Sequence, residues 1–404
     1  MLSFLKNQKS AVRLRIEGDV TTKLRLKYDP YYHSVSAVNG IEVTVEGKQM
    51  VMMSSNEYLG LSQHPKVQEA AQKAISTWGT SSCGSRLANG SRHCHRDFEE
   101  ALAQFLGKEA CHVIAAGYLA CQGSLAGIAQ RGDALIVDKS IHSSLWDGAI
   151  ISGADIERFS HDDMESLSQL LAKLDMKQPK IIAVDGIYSM EGHMASIPRI
   201  VELAKEYSAF TIVDDAHGFG VLGNQGRGIV DHFNATKDVD LIVGSLSKSL
   251  ASVGGFFAGS KAVIEFLRSN CRQIIFSAAV SPSQAASAHA ALKVMQTEPE
   301  HQEKLWENTR YYKKILDDLG LDYWDSPTPA VPIVFGELER AYYVWKSLWD
   351  QGFFTVMSVS PGVPVGKDLI RTAMSALHTK EQLDRFGDAL KTAMKKIGIK
   401  PKNG

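Results

Sequence analysis

The stretch Val239-Asp240-Leu241-Ile242-Val243-Gly244-Ser245-Leu246-Ser247-Lys248-Ser249 decides the fold. It passes from an apolar run into a turn of small and hydroxyl residues, and Gly254-Gly255 follows. The same grammar recurs upstream. Short apolar runs predict strands over Ala110 to Ala116, Ala134 to Val137, Lys180 to Val184, Phe210 to Val213 and Leu241 to Val243. Helical patterns lie between them at Phe98 to Phe105, Met164 to Leu174 and Ile197 to Glu206. Uninterrupted apolar strands alternating with helices predict an α/β fold, a mostly parallel central sheet covered by helices. From about Glu298 the pattern turns to long helices and a few strands, which predicts a smaller C-terminal α/β domain. The expected division is an arm with small-domain strands over 1–55, a large domain over 56–297 and a small domain over 298–404. No internal repeat or low-complexity segment is present.

In parallel sheets of this kind the loops beyond the strand carboxyl ends build the site, and Asp185, Asp214 and Lys248 all fall there. Lys248 brings one amine to a turn where the hydroxyls of Ser245 and Ser247 and the backbone N–H groups are able to hold a phosphate. Such an amine suits a Schiff base with pyridoxal phosphate, because the strand end fixes it while small neighbours admit a planar ring. That cofactor also needs a carboxylate to keep its ring nitrogen protonated, and Thr211-Ile212-Val213-Asp214-Asp215-Ala216-His217 delivers Asp214 to another strand end. His217 would then face the ring's phenolic oxygen. Gly117 and Tyr118, in Ala115-Ala116-Gly117-Tyr118, follow a strand and open a helical run, so their backbone N–H groups and the helix dipole suit a phosphate. Read locally, each element has a plainer alternative: a surface lysine, aspartates capping a turn, a turn-forming glycine.

Four strings taken together point further: Asp185-Gly186-Ile187-Tyr188-Ser189-Met190-Glu191-Gly192, Val213-Asp214-Asp215-Ala216-His217, Gly244-Ser245-Leu246-Ser247-Lys248-Ser249, and Ile370-Arg371-Thr372-Ala373-Met374-Ser375-Ala376-Leu377-His378-Thr379. In order and spacing they resemble the α-oxoamine synthases, fold-type I pyridoxal-phosphate enzymes that join a small amino acid to an acyl-coenzyme A thioester. The likeness runs from about Ser54 to His378. It implies that Lys248 anchors the cofactor, Asp214 and His217 tune its ring, and His142, within Ile141-His142-Ser143-Ser144, stacks on it. It implies further that Ser189 lies near the phenolic oxygen and that Arg371 clamps the substrate carboxylate, as a planar guanidinium can in bidentate fashion. Asn56 and Arg86 fall in segments that line the family's substrate entrance, partly from a second subunit. Ser277 resembles the hydroxyl that a second subunit lends to the phosphate, so a homodimer with shared sites is implied.

Within the family, Ser245 to Phe256, Gly84-Ser85-Arg86-Leu87-Ala88-Asn89-Gly90 and Leu305-Trp306-Glu307-Asn308-Thr309 look most like the bacterial members that condense L-serine with palmitoyl-coenzyme A to 3-ketosphinganine. Some of those carry an arginine shortly before a Pro-Pro-x-x-Pro turn, whereas this chain reads Ser358-Val359-Ser360-Pro361-Gly362-Val363-Pro364, with valine where the arginine would align. The Ile370 to Thr379 string also resembles members that use glycine and acetyl-coenzyme A, and members that form 8-amino-7-oxononanoate remain a further alternative. Tunnel shape sets the acyl length, and each methylene contributes only about 0.8 kcal/mol, so no short motif settles it.

Composition bounds the rest. A chain of 404 residues with 44% hydrophobic content can bury a large core. A net charge of −1 gives no electrostatic case for nucleic acid. Cys83, Cys94, Cys111, Cys121 and Cys271 are odd in number and scattered, with no Cys-x-x-Cys pair, so neither a disulfide framework nor a zinc site is indicated, no metal is expected, and a reducing cytoplasm fits. Met1-Leu2-Ser3-Phe4-Leu5-Lys6 leads into Lys9, Arg13 and Arg15 without the apolar run of a signal peptide, so export is not expected. No stretch reaches the roughly 18 to 20 apolar residues of a bilayer span, which limits expected membrane contact to a peripheral one.

Overall fold

The computed structural model describes residues 10–24, 30–360 and 362–398. The Met1 to Lys9 part of the basic arm, and Pro361 of the Ser358 to Pro364 turn, lie outside the described residues.

A seven-stranded sheet forms the centre, in the order Ala110–Ile114, Gly255–Gly259, Leu241–Ser245, Ala209–Asp214, Lys180–Asp185, Ala134–Asp138, Asp155–Phe159. Gly255–Gly259 runs antiparallel to both neighbours, and every other pair is parallel. The predicted strands are all present, extended by a residue or two at most ends, except that the first stops at Ile114. Lys180–Asp185 and Ala134–Asp138 are buried along their whole length, as strands covered on both faces must be. Two apolar layers do the covering. One is built around Val113, Ile182, Val213 and Phe256; the other, on the opposite side, around Leu135, Ala183, Ile212 and Phe257. Successive residues of one strand divide between the layers because side chains alternate across a sheet.

The helices begin where the sequence supplies caps. Ser260 and Ser281 accept from the N–H groups of Val263 and Gln284, and Thr379 with Gln382 forms a capping box. Gly117–Ile128 differs: its N-cap is Ala116, with no side-chain cap, so the first-turn N–H groups remain available.

Two smaller sheets lie outside the central one. Asp368–Ala373 is the middle strand of an antiparallel sheet with Ala330–Gly336 and Val356–Ser358. The N-terminal strands Val35–Asn39, Glu42–Val45 and Lys48–Met52 form the other, and Phe353–Phe354 completes it through a parallel pairing with Val51 and Met52. The early and late parts of the chain are therefore built together. The link continues toward the central cleft: Ser54 Oγ donates to the Arg371 carbonyl at 2.6 Å, and Ala376 N–H donates to the Tyr58 carbonyl at 2.8 Å. Asn308 and His378 fix the same corner, with Asn308 Nδ2 donating to the carbonyls of Ser375 and His378 and the His378 ring reaching the Met52 carbonyl. His378 is neutral in this setting, burial pushing its pKa down to about 4.

Candidate active site

A cleft of about 440 Å3 opens at the carboxyl ends of the central strands. Eleven of the thirteen residues singled out in the sequence line it: Asn56, Gly117, Tyr118, His142, Ser189, Asp214, His217, Ser245, Ser247, Lys248 and Arg371. The strand ends explain the convergence. Asp185 and Asp214 are the last residues of neighbouring parallel strands and are paired in register, and Ser245 ends the next strand but for the same sheet.

Lys248 sits three residues beyond its strand. Burial pushes the amine down to about 8, against the opposing pull of the Asp214 carboxylate, so about a tenth of it is neutral at pH 7, far more than for an ordinary lysine. Asp214 accepts from the Ala216 N–H at 3.0 Å and from the Cys121 thiol at 2.9 Å. Asp185 accepts the His142 N–H on Oδ2, while its Oδ1 is buried without a partner among the described residues. Burial and the adjacent Asp214 charge drive the Asp185 pKa well up. With Asp185 driven toward its neutral form, Asp214 is the carboxylate that a cation at the cleft would answer, and Lys248 and a protonated ring nitrogen are the groups able to supply it.

Both cleft histidines are held neutral. Burial lowers His217 well below the usual range, with Lys248 and Arg371 adding to the effect; burial lowers His142 as well. His217 Nδ1 pairs with the Tyr58 hydroxyl at 2.8 Å, and burial raises the Tyr58 pKa so that its proton stays. Where Tyr58 O–H is the donor to Nδ1, the neutral ring carries its proton on Nε2. His142 caps the helix Ser143–Ser152, its Nδ1 against Ser144 Oγ at 2.6 Å.

Arg371 is already oriented. Its Nε donates to the Ser189 carbonyl and its Nη2 to Asn56 Oδ1, both at 2.9 Å. That commits two of five N–H groups and leaves Nη1 and one Nη2 proton for a ligand. Opposite, Gly117 packs so closely that a Cβ there would meet Ser245 Oγ at 2.6 Å, and a Cβ at Gly255 would meet the Ala116 carbonyl at 2.7 Å. This backbone-to-backbone approach, beside the uncapped helix start and the Ser245–Ser247 hydroxyl pair at 2.7 Å, makes a cradle for a phosphate. Pyridoxal phosphate therefore fits on observed features: a buried amine, the Asp214 carboxylate near it and an anion cradle.

Two expected residues lie elsewhere. Arg86 is outside the cleft, forming a two-point ion pair with Glu99 at 2.7 and 3.0 Å and donating to the Val113 carbonyl. Burial works to raise Glu99, but His112 and Arg86 outweigh it and hold that carboxyl down to about 2. Ser277 also does not line the cleft of its own chain; its neighbour Ala278 bridges to Ser85. Tyr58 and Cys121 escaped sequence reasoning. Cys121 stands four residues after Gly117, one helical turn along the same face, which was a readable signal. Tyr58 had no signal beyond its place two residues after Asn56.

Residues 48–390 match the family described as aminotransferase class I and II, and the chain belongs to that family. Its branch is the α-oxoamine synthases. The serine palmitoyltransferase of Sphingobacterium spiritivorum is 40% identical over 369 residues, covering 91% of this chain and 92% of that one. The 8-amino-7-oxononanoate synthase of Thermoanaerobacter pseudethanolicus is 39% identical over 362 residues, covering 89% and 92%. A serine palmitoyltransferase solved at high resolution with its PLP internal aldimine superposes with a TM-score of 0.94 at 30% identity, covering 97% of this chain and 100% of the other. The chain is thus a pyridoxal-phosphate-dependent acyltransferase of the α-oxoamine synthase type, which takes an amino acid and an acyl-coenzyme A. Among the described residues no helix is long and apolar enough to cross a membrane.

Proposed function

We propose that the chain condenses L-serine with a long-chain acyl-coenzyme A, palmitoyl-coenzyme A in the first instance, releasing coenzyme A and carbon dioxide and forming 3-ketosphinganine. The observation that carries the amino-acid half is Arg371, pre-oriented by Ser189 and Asn56 with donors to spare at the cleft. The identity to serine palmitoyltransferases supports the choice of serine and of a long chain.

Bound in the cleft, pyridoxal phosphate supplies an electron sink for the bond broken at the amino acid's α-carbon. The protein's residues do the rest. Asp214 holds the ring-nitrogen proton, and Cys121 and the Ala216 N–H hold Asp214. His217 presents Nε2–H to the phenolic oxygen because Tyr58 occupies Nδ1. The first-turn N–H groups at Gly117 and Tyr118, with Ser245 and Ser247, hold the phosphate. Arg371 would fix the substrate carboxylate and His142 would face the cofactor ring, the two together orienting the amino acid. Lys248 Nζ, the amine that would anchor the cofactor, would also be placed to take the α-proton; a pKa of about 8 suits that exchange.

The site is completed in a homodimer, Ser277 reaching the phosphate of the other subunit. Phe276 and Leu87, 77% and 62% exposed on the bridged segments beside Ser277, give that face its apolar contacts. A second reading, 8-amino-7-oxononanoate synthase, is favoured by relatives of equal identity. Coenzyme A release, measured with L-serine, glycine, L-alanine and L-threonine against donors from acetyl to palmitoyl, tests the proposal. Turnover confined to L-serine and long donors is expected; preference for L-alanine, or for glycine with acetyl-coenzyme A, would overturn the substrate assignment.

A further inference from the structure

Away from the cleft, His64, Glu298 and His301 bring one donor atom each to within 4.8 Å of one another. They come from three elements. His64 is the N-cap of the helix Pro65–Trp78, Glu298 ends the helix Pro282–Thr297, and His301 lies in the first turn of Glu300–Leu319. The first two helices pack against each other, so the three positions are held by the fold.

Three potential ligand atoms converge at this point, with the Lys66 ammonium beside them. His301 Nδ1 lies 3.0 Å from the Leu59 carbonyl, which can only accept, so the ring proton is on Nδ1. In the neutral ring Nε2 is the lone-pair atom, and Glu298 Oε2 stands 3.6 Å from it. His64 Nε2 approaches the same oxygen to 3.2 Å. The other carboxylate oxygen, Oε1, is occupied by the Lys66 ammonium at 2.6 Å. The separations 3.2 and 3.6 Å bracket the roughly 3.4 Å edge of a tetrahedron whose ligand bonds are about 2.1 Å. An orienting carbonyl behind one imidazole is also the usual support for a metal-bound histidine. His64 lacks such a bond, its Nδ1 being buried without a partner, but Pro65 restricts its backbone.

We propose that His64 Nε2, Glu298 Oε2 and His301 Nε2 form a three-ligand site for a borderline divalent transition ion such as Zn2+, with water in the open position. Imidazole and carboxylate without thiolate select that class over soft monovalent ions. The bound ion ties the turn that follows Leu59 to the junction of the two later helices. Because Tyr58 precedes Leu59 and holds His217, the ion stiffens the wall behind the cleft without entering it. The inference stands whichever substrate the cleft takes.

The test uses tag-free, cofactor-loaded full-length protein, stripped with a chelator and titrated with Zn2+ by calorimetry. One equivalent is expected to bind, with affinity falling by at least roughly a hundredfold in His301→Gln and in Glu298→Gln. Co2+ in place of Zn2+ should give visible bands of a low-coordinate nitrogen–oxygen site. A parent that binds no ion, whose cluster is then bridged by a proton alone, would overturn the proposal. So would undiminished binding in both variants, or a cobalt–thiolate charge-transfer band, which would place the ion on a cysteine. Should one variant misfold, the other carries the comparison, and a Zn2+-dependent rise in Tm present in the parent and absent in the variant reports the same site.

Discussion

Replacing Arg371 by lysine keeps the charge and removes the fork. In the parent, Nε and one Nη2 proton are spent on Ser189 and Asn56, which sets the guanidinium plane and leaves Nη1 and the second Nη2 proton to meet both oxygens of a carboxylate. A lysine ammonium can meet one of those oxygens. The lost bond is charge-assisted, contributing about 2 kcal/mol, and at 1.4 kcal/mol per decade the affinity for L-serine should fall roughly 30-fold. The assay is the change in bound-cofactor absorbance on titration with L-serine, set beside the same titration with L-serine methyl ester. The ester has no carboxylate for the fork, so parent and variant should bind it alike. Equal L-serine affinity in the two proteins would refute the assignment. So would an equal loss for acid and ester, which would point to a disturbed cleft rather than a missing clamp.

Three further outcomes follow from the geometry. Covalent capture of pyridoxal phosphate by the cofactor-free protein requires the neutral amine of Lys248, so its rate should rise with pH about a midpoint near 8; a midpoint near the ordinary lysine value, read by stopped-flow absorbance, would mean that burial does not depress the amine. Tyr58→Phe leaves His217 Nδ1 buried without its partner, and turnover should fall about tenfold with little change in L-serine affinity, as expected for about 1.4 kcal/mol lost at a group that positions another. Arg86→Ala removes the cationic fork from the buried Glu99 carboxylate, leaving it His112 and the Val113 N–H, and should cost about 3 kcal/mol in urea unfolding while the parent's substrate affinities persist in the folded fraction; a loss of affinity without a loss of stability would return Arg86 to the substrate entrance.

The strand ends were legible because burial and chemistry speak in neighbouring residues: an apolar run such as Lys180 to Val184 announces a covered strand, and the polar residue that breaks it is delivered to the cleft. That placed Lys248, Asp214 and His217 at strand ends, while their roles toward a cofactor came from the four strings taken together. Arg371 was not, since its place depends on a pairing between Asp368–Ala373 and its neighbours and on Asn56, far away in sequence; resemblance supplied it. Arg86 shows the opposite failure. An arginine in a polar, glycine-rich segment looks free for a ligand, and only the folded chain reveals that Glu99 has claimed it. The His64, Glu298 and His301 grouping carried no local pattern, because three helix ends make it.

The pairing of Asn56 with Arg371 also sets a schedule. The two positions are 315 residues apart, and at about 5–20 residues per second a ribosome needs roughly 15–60 s to travel between them. The strands from Ala110 to Gly259, which carry the anion cradle, Asp214 and Lys248, emerge well before that interval ends. A nascent chain can therefore own an anchor for its cofactor while its substrate clamp is still unmade. During that time the edge strand Lys48–Met52 waits for Phe353–Phe354, and whatever shields it until then has a say in how much of the product folds.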